Sequence, residues 1–142
     1  THLMLELKAE RFPQPARQSR ILQQALSALV PGRDYHILGL DPAVFELVDF
    51  LPRRFCCPVA EENVGDLCQT CVDCGFGGLG GHFLLLNRKV KHRLDQAGQP
   101  LGTGFVASKN CLYRELNRGV EWIFSNHAVK LQQVRNRCLE RP

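Results

Sequence analysis

The sequence lacks any long hydrophobic run. None of its apolar stretches approaches the roughly 18 residues that a membrane-spanning helix needs, and its first residues do not show the pattern of a signal peptide. The GK[S/T] signature of P-loop nucleotide sites, internal repeats and low-complexity tracts are also missing. We therefore expect a protein without a membrane span, a P-loop or a solenoid.

Neither sign of charge dominates the chain. The 142 residues include 18 Lys and Arg against 14 Asp and Glu, and 44% are hydrophobic, which is typical of one globular domain. We predict a single domain over residues 1–142. The densest basic cluster is Arg88, Lys89, Lys91 and Arg93, which could contact RNA phosphates or an anionic membrane surface. No aromatic residues interleave with it, so base stacking is not indicated.

Cysteine is the unusual component. Seven cysteines are an odd number, which argues against a complete disulfide framework and favours reduced thiols, a metal site or one reactive thiol. Most lie in a cysteine- and glycine-rich segment, residues 53–81, which we interpret as a loop-like insert. The spacing of Cys68, Cys71 and Cys74 is typical of metal ligands, so with Cys57 they could hold a zinc ion. His82 could replace Cys74, and free thiols are the alternative.

Hydrophobic periodicity predicts an α+β fold. Residues 16–30 repeat apolar positions at helical spacing, and strands are predicted near the N-terminus and over 34–40, 43–50 and 82–94. A short strand at 104–107 leads into a helix predicted from Cys111 to about residue 139, with a break or kink at Gly119. The expected architecture is a small antiparallel sheet packed with an N-terminal helix and a long C-terminal helix.

The position of Cys111 suggests a nucleophile. It lies in the predicted first turn of a helix, where unpaired N–H groups and the helix dipole favour a thiolate and lower the cysteine pKa. A nucleophilic thiol also needs a base, and His36, His82 and His92 lie on or beside predicted strands. The alternative is a buried cysteine that acts as a small hydrophobic residue.

Two segments resemble a known family. "SKNCLYRELNRGV" resembles the Asn-Cys segment, and "YHILGLDPAVFELVDFLP" the histidine box, of the H-box/NC proteins. These form a permuted branch of the papain-like, NlpC-type fold that includes lecithin retinol acyltransferase and the non-proteolytic 2A proteins of picornaviruses. The resemblance implies Cys111 as nucleophile, Asn110 as its partner and His36 as base. The chain departs from the family where a second histidine is expected, and Asp49 in that region could orient the imidazole instead. "GHFLLLNRKVKH", beginning near His82, is an alternative histidine box.

The resemblance also implies a function. It indicates a viral accessory protein of the picornavirus 2A type, of the kobuvirus kind, acting in the host cytoplasm in viral RNA replication. Its partners would be viral or host proteins or membranes, and its thiol acyltransferase chemistry would have lapsed. The alternatives are an active cysteine acyltransferase or lipid hydrolase, not a protease, and a zinc-stabilised protein- or RNA-binding module. The substrate, the partner and the oligomeric state are not predicted.

Overall fold

Six parallel strands form one sheet. The computed structural model describes residues 2–8 and 13–139. Neighbouring strands in the sheet are consecutive in the chain, and every pair is parallel. The strands are β1 (Leu3–Leu7), β2 (Tyr35–Gly39), β3 (Cys56–Ala60), β4 (Leu79–His82), β5 (Leu101–Gly104) and β6 (Trp122–Ile123).

Helices alternate with the strands. The α-helices are α1 (Pro15–Ala25), α2 (Val64–Cys74), α3 (Arg88–Gln96), α4 (Lys109–Asn117) and α5 (Ala128–Leu139), and a 3-10 helix, Pro42–Val48, follows β2. Local sequence sets several ends. The Asn87 side chain accepts hydrogen bonds from the backbone N–H groups of Lys89 and Val90, which caps α3. Gly75 ends α2 in the left-handed conformation, with φ of 66°.

The sheet is strongly curled. The ring centroids of His36 on β2 and Trp122 on β6 are 5.1 Å apart, although three strands lie between β2 and β6. In a flat sheet these strands would be about 19 Å apart, since neighbouring strands are separated by about 4.8 Å. The sheet therefore has a concave face, on which both rings lie, and a convex face.

The convex face forms the main core with the helices. Ile37, Leu79 and Leu101 are fully buried there and belong to one cluster with Cys71 of α2 and Leu94 of α3. Burial on this scale is the main stabilising term of the fold, at about 25 cal/mol per Å² of apolar surface. Side chains alternate along a strand, so the intervening residues face the concave side.

The predicted α+β fold with an antiparallel sheet is wrong. Antiparallel strands can be joined by short hairpins, whereas each parallel pair needs a crossover, and here helices supply these crossovers. Hydrophobic alternation does not distinguish the two arrangements, because the period of two is the same in both. The papain-like sheet predicted with it is likewise absent from residues 2–8 and 13–139.

Four predicted elements differ from the structure. Of the strand predicted over 104–107, only Gly104 belongs to β5. Residues 43–50, predicted as a strand, lie mainly in the 3-10 helix, where Asp41 accepts a hydrogen bond from the N–H of Ala43. The strand predicted over 82–94 ends at His82, and the basic part forms α3. The long helix predicted from Cys111 is divided into α4, β6 and α5, with a break at Gly119, whose φ is 70°.

The segment 53–81 belongs to the sheet layer. It contributes β3, α2 and most of β4, so the residues interpreted as a loop-like insert supply two central strands and a crossover helix. Its glycines have a structural role. A Cβ on Gly77 would lie 2.2 Å from the backbone oxygen of Arg54, so only glycine fits where α2 returns to β4.

Candidate functional site

A cavity lies at the carboxyl ends of the strands. Its volume is about 700 Å³, within the range of ligand-binding pockets. Polar side chains from three strand ends line it: Glu6 and Lys8 from β1, Glu61 and Glu62 after β3, and His82 at the end of β4. The carboxyl ends of parallel strands are the usual place for ligands in folds that alternate strands and helices. This cavity is therefore the candidate functional site.

The tautomer of His82 is set by its own loop. The backbone N–H of Leu84 donates a hydrogen bond of 3.1 Å to Nδ1 of His82. Nδ1 is therefore an acceptor, and in the neutral ring the proton is on Nε2. His82 thus offers one N–H donor, at Nε2, to a ligand.

Lys8 brings positive charge to the cavity. Its Nζ lies 3.5 Å from a carboxylate oxygen of Glu6, and its side chain is 78% exposed. Such an exposed ion pair contributes little to stability, at most about 1 kcal/mol. The pairing follows from the sequence, because side chains two residues apart on a strand lie on the same face. Lys8 is consequently free to exchange Glu6 for an anionic ligand.

An aromatic ring covers one side of the site. Phe105 follows β5, is 70% exposed and has a φ of 65°, the one positive φ at a non-glycine residue in the described part of the chain. The left-handed conformation costs a bulky residue about 1–2 kcal/mol. The Phe105 ring stacks on the imidazole of His82. Strain of this kind often marks functional sites, and here it holds an aromatic ring at the cavity mouth.

The predicted zinc ligands are not assembled. Among residues 2–8 and 13–139, no group of three or more His, Cys, Asp or Glu side chains could hold a metal ion. Cys68 and Cys71 belong to the hydrophobic core, and Cys57 is fully buried on β3. Cys74 is turned about 120° around α2 from Cys68, because each helical residue adds about 100°. Burial raises the pKa of Cys71 to about 12, so this thiol is protonated at neutral pH.

The residues predicted to be catalytic lie on separate elements. His36 is on β2, where its Nδ1 is 2.8 Å from Nε2 of His2 and its ring contacts Trp122. Cys111 and the exposed Asn110 lie in the first turn of α4, and Asp49 is an exposed residue after the 3-10 helix. No hydrogen bond within the described ranges joins Cys111 to a histidine. Their catalytic roles stay a prediction.

The expected lowering of the Cys111 pKa is not found. Burial raises the pKa of this thiol, although the Arg114 guanidinium, 3.8 Å from its sulfur, acts in the opposite direction. The backbone N–H of Cys111 donates to Ser108 Oγ at 3.2 Å, which caps the helix. Burial therefore outweighs the effect of the guanidinium on this pKa, and activation of the thiol stays a prediction.

The basic cluster lies on α3. Lys91 is paired with Asp95 and Glu121, and its side chain is only 12% exposed. Among the described residues, Arg88, Lys89 and Arg93 have no ion-pair partner, so the cluster presents three cations there rather than four. Contact with RNA or a membrane surface through it stays a prediction. No helix in the described ranges is long and apolar enough to span a membrane.

The comparisons identify the fold. No family model matches the sequence, and no curated protein matches it either. Solved structures of phosphodiesterases do match. A phosphodiesterase of Oleispira antarctica, solved with the product sn-glycerol-3-phosphate, aligns with a TM-score of 0.77 at 14% identity over 95% of this chain and 55% of its own. A glycerophosphodiester phosphodiesterase of Parabacteroides distasonis gives 0.70 at 16% identity over 96% of this chain and 58% of its own.

These similarities correct the family prediction. The chain has the fold of glycerophosphodiester phosphodiesterases and spans a little more than half the length of these structures. The predicted membership of the H-box/NC family is wrong, as is the viral 2A function inferred from it, because a curled parallel sheet replaces the papain-like sheet. The alternatives, a cysteine acyltransferase and a zinc-stabilised binding module, fit this fold no better.

Sequence reasoning missed the residues that line the cavity. Lys8 and Glu6 were within a correctly predicted strand but were not singled out, and Glu61 and Glu62 were assigned to a loop-like insert. A usable signal was present: Lys8, Glu61 and Glu62 follow apolar strand segments, and Glu6 lies one residue before the end of one. His82 was considered only as a base for Cys111 or as a zinc ligand, whereas it ends β4 in the cavity.

Proposed function

We propose that the cavity at the carboxyl ends of the strands binds a glycerophosphodiester-like phosphodiester and hydrolyses it. One observation carries the proposal. A lysine, an imidazole N–H donor and three glutamates converge in one cavity, at the end of the sheet where parallel α/β folds bind ligands. The solved structures with the same fold are named as phosphodiesterases, which gives the chemical class of the ligand.

Two groups would hold the phosphate. The Lys8 ammonium would pair with a phosphoryl oxygen, replacing its exposed contact with Glu6. Nε2 of His82 would donate a hydrogen bond to a second phosphoryl oxygen, since Nδ1 is already engaged as an acceptor. Both interactions strengthen as negative charge develops on the phosphoryl group, so they would stabilise the transition state more than the ground state.

The reaction would be a displacement by water. A water molecule attacks phosphorus while the Glu61 carboxylate, at the end of β3, accepts one of its protons. The bond between phosphorus and the alcohol oxygen breaks, and its electron pair leaves with that oxygen, which takes a proton from solvent. The products are a phosphate monoester and an alcohol. Glu61 then returns its proton to solvent.

Hydrolysis of glycerophosphocholine tests the proposal. We expect the purified chain to release choline, and Lys8→Met, His82→Gln and Glu61→Gln each to lower kcat/KM by about tenfold to a thousandfold. The matched controls carry the same changes on exposed residues outside the cavity: Lys89→Met, His92→Gln and Glu46→Gln.

The comparison of cavity variants with controls shows whether hydrolysis takes place in this cavity. Loss of choline release in the three cavity variants, with retention in the three controls, would support the assignment. Absence of choline release by the folded chain would overturn the proposed activity. Equal rates in cavity and control variants would show that hydrolysis, if observed, takes place elsewhere. Circular dichroism of every variant establishes that the fold is retained.

Two earlier expectations remain untested. One is interaction with viral or host proteins, together with contact of RNA or a membrane surface with the basic cluster on α3, and these stay predictions. Location in a host cytoplasm likewise stays a prediction, and it depended on the viral function that the fold contradicts.

A further inference from the structure

Exposed apolar side chains are concentrated at the mouth of the cavity. Of the eight large hydrophobic residues that are exposed in the described part of the chain, four line it. We call these four the apolar rim: Leu40, Leu84, Leu85 and Phe105. Leu84 is 69% exposed and Phe105 is 70% exposed. The other four are distributed over β1, α1, the segment after α1, and α5. Contiguous exposed apolar surface of this kind usually marks a binding site.

The apolar rim is continuous with the polar site. Leu84 donates its backbone N–H to His82, and Phe105 stacks on the same imidazole. Phe124, after β6, lines the cavity as well, so apolar groups surround the polar residues. A ligand whose phosphate contacted Lys8 and His82 would therefore have its next atoms against hydrocarbon. A fully hydrophilic diester would leave this hydrocarbon in contact with water.

The backbone is strained to hold the rim in place. Phe105 adopts a φ of 65° while its ring remains largely exposed, so burial of the ring in the free protein does not offset the strain. A bound apolar group would cover the ring and supply that compensation. This second observation is independent of the exposure of the leucines.

We propose that the substrate of this site is a single-chain amphiphile, a phosphodiester of the lysophospholipid type whose acyl chain lies against the apolar rim. The inference rests on the proposed function for the phosphodiester head group and adds the chain. Lys8 and His82 would hold the phosphate, and Leu84, Leu85 and Phe105 would cover the first methylenes of the chain.

Chain-length dependence of binding tests the inference. Dissociation constants are measured by calorimetry for glycerophosphocholine, butanoyl-lysophosphatidylcholine and octanoyl-lysophosphatidylcholine, with the two lysophosphatidylcholines below their micelle-forming concentrations. Each fully buried methylene strengthens binding about fourfold. We therefore expect octanoyl-lysophosphatidylcholine to bind about tenfold or more tightly than the butanoyl compound, since the rim covers only part of the chain.

Paired variants assign the effect to the rim. Leu84→Ser and Leu85→Ser, which leave the ring that stacks on His82 in place, should remove most of the chain-length dependence and leave the affinity for glycerophosphocholine within about threefold. Ile21→Ser and Val129→Ser are the matched controls, since Ile21 is 54% exposed and Val129 is 76% exposed away from the cavity. The controls should keep the full dependence on chain length.

Several results would overturn the inference. Equal dissociation constants for the three compounds would do so, while choline release from glycerophosphocholine would still support the proposed function. Chain-length dependence that survives in Leu84→Ser and Leu85→Ser would place the chain elsewhere. Two further results would apply if binding showed no dependence on chain length. Cosedimentation with phosphatidylcholine vesicles that is lost in the rim variants would assign the rim to a membrane surface. Dimerisation in light scattering that is lost in these variants would assign it to a second copy of the chain. Chain-length dependence without choline release would keep the inferred binding site and dismiss the hydrolysis.

Discussion

The ring of Phe105 stacks on the imidazole of His82, with centroids 5.0 Å apart and planes inclined by 28°. The two residues come from the ends of neighbouring strands, β5 and β4. The ring of Phe83 also stacks on this imidazole, with the ring centroids 4.7 Å apart. His82 is therefore held by two aromatic rings and by the Leu84 N–H, which fixes the direction of its Nε2 donor.

Replacement of Phe105 separates strain from function. Phe105→Ala keeps the cost of the positive φ, whereas Phe105→Gly removes it, so we expect the glycine variant to be more stable than the alanine variant by about 1 kcal/mol. Both lose the ring, so both should weaken binding of octanoyl-lysophosphatidylcholine alike. Urea unfolding gives the stability difference. A glycine variant less stable than the alanine variant would contradict the assigned strain.

Glu115 is the most deeply buried charge in the described ranges. It is 0% exposed and accepts hydrogen bonds from Arg114 Nε at 2.7 Å and Arg118 Nη1 at 2.8 Å. Arg118 also donates to the backbone oxygen of Leu86. This network connects α4 to the loop that carries the rim leucines, so its loss should affect both stability and the cavity mouth.

Removing one partner of this network should be costly. Arg118→Ala leaves the Glu115 carboxylate without its more buried partner, and we expect the free energy of unfolding to fall by about 3–5 kcal/mol. Arg114→Ala is the matched control. The Arg114 side chain is 47% exposed, so its loss should cost about 1 kcal/mol or less. Chemical denaturation measures both, and equal losses would show that burial does not distinguish the two arginines.

Much of the fold was present in the sequence, but its topology was not. Alternation predicted β1 and β2, and helical spacing predicted α1, because these segments carry apolar side chains at the expected period. Strands β4 and β5 were hidden because they consist largely of glycine. The structure explains this composition: a Cβ on Gly102 would lie 2.6 Å from the Phe124 ring on the concave face. A strand that consists largely of glycine has too few apolar side chains to show a hydrophobic period of two.

The site was harder to predict than the fold. Glu6 and Lys8 share one face of β1, but the sequence does not show which strand ends adjoin them, since that depends on parallel order. Cys111 was predicted to be a nucleophile because its thiol lies at a helix start. The sequence does show the capping Ser108, but it does not show the burial that raises the pKa of this thiol, because burial depends on tertiary packing.

The buried cysteines should make stability fall at alkaline pH. Burial raises the pKa of Cys56 to about 11 and that of Cys71 to about 12, whereas an unfolded thiol has a pKa of about 8.5. Above the unfolded value, the unfolded chain has lost protons that the folded chain keeps, so the stability present at neutral pH is lost as pH rises. Between about pH 8.5 and pH 10, each such thiol should contribute a decrease approaching about 1.4 kcal/mol per pH unit.

The slope identifies the thiols responsible. Urea unfolding is measured across this pH range for the parent chain, for Cys71→Ala and for Cys138→Ala. We expect Cys71→Ala, although less stable at neutral pH, to show a shallower decrease, because one of the titrating groups is gone. Cys138 is exposed and should leave the slope unchanged. A parent chain whose stability does not change up to pH 10 would contradict the raised pKa values.

Alkylation of Cys111 tests whether its thiol is activated. Burial raises its pKa, Arg114 partly opposes this, and Glu115 adds to it, so the thiol should be protonated at neutral pH. The thiolate is the reactive form, and we therefore expect iodoacetamide to modify Cys111 slowly at neutral pH, at a rate that is still increasing at the pH where the rate for the unfolded chain levels off. Mass spectrometry measures the rate for each cysteine, and Cys111→Ser confirms the assignment. The same chain unfolded in urea provides the reference, because there the thiol should titrate near its ordinary pKa. A plateau of reactivity below pH 8 in the folded chain would instead restore the activated thiol that the helix start suggested.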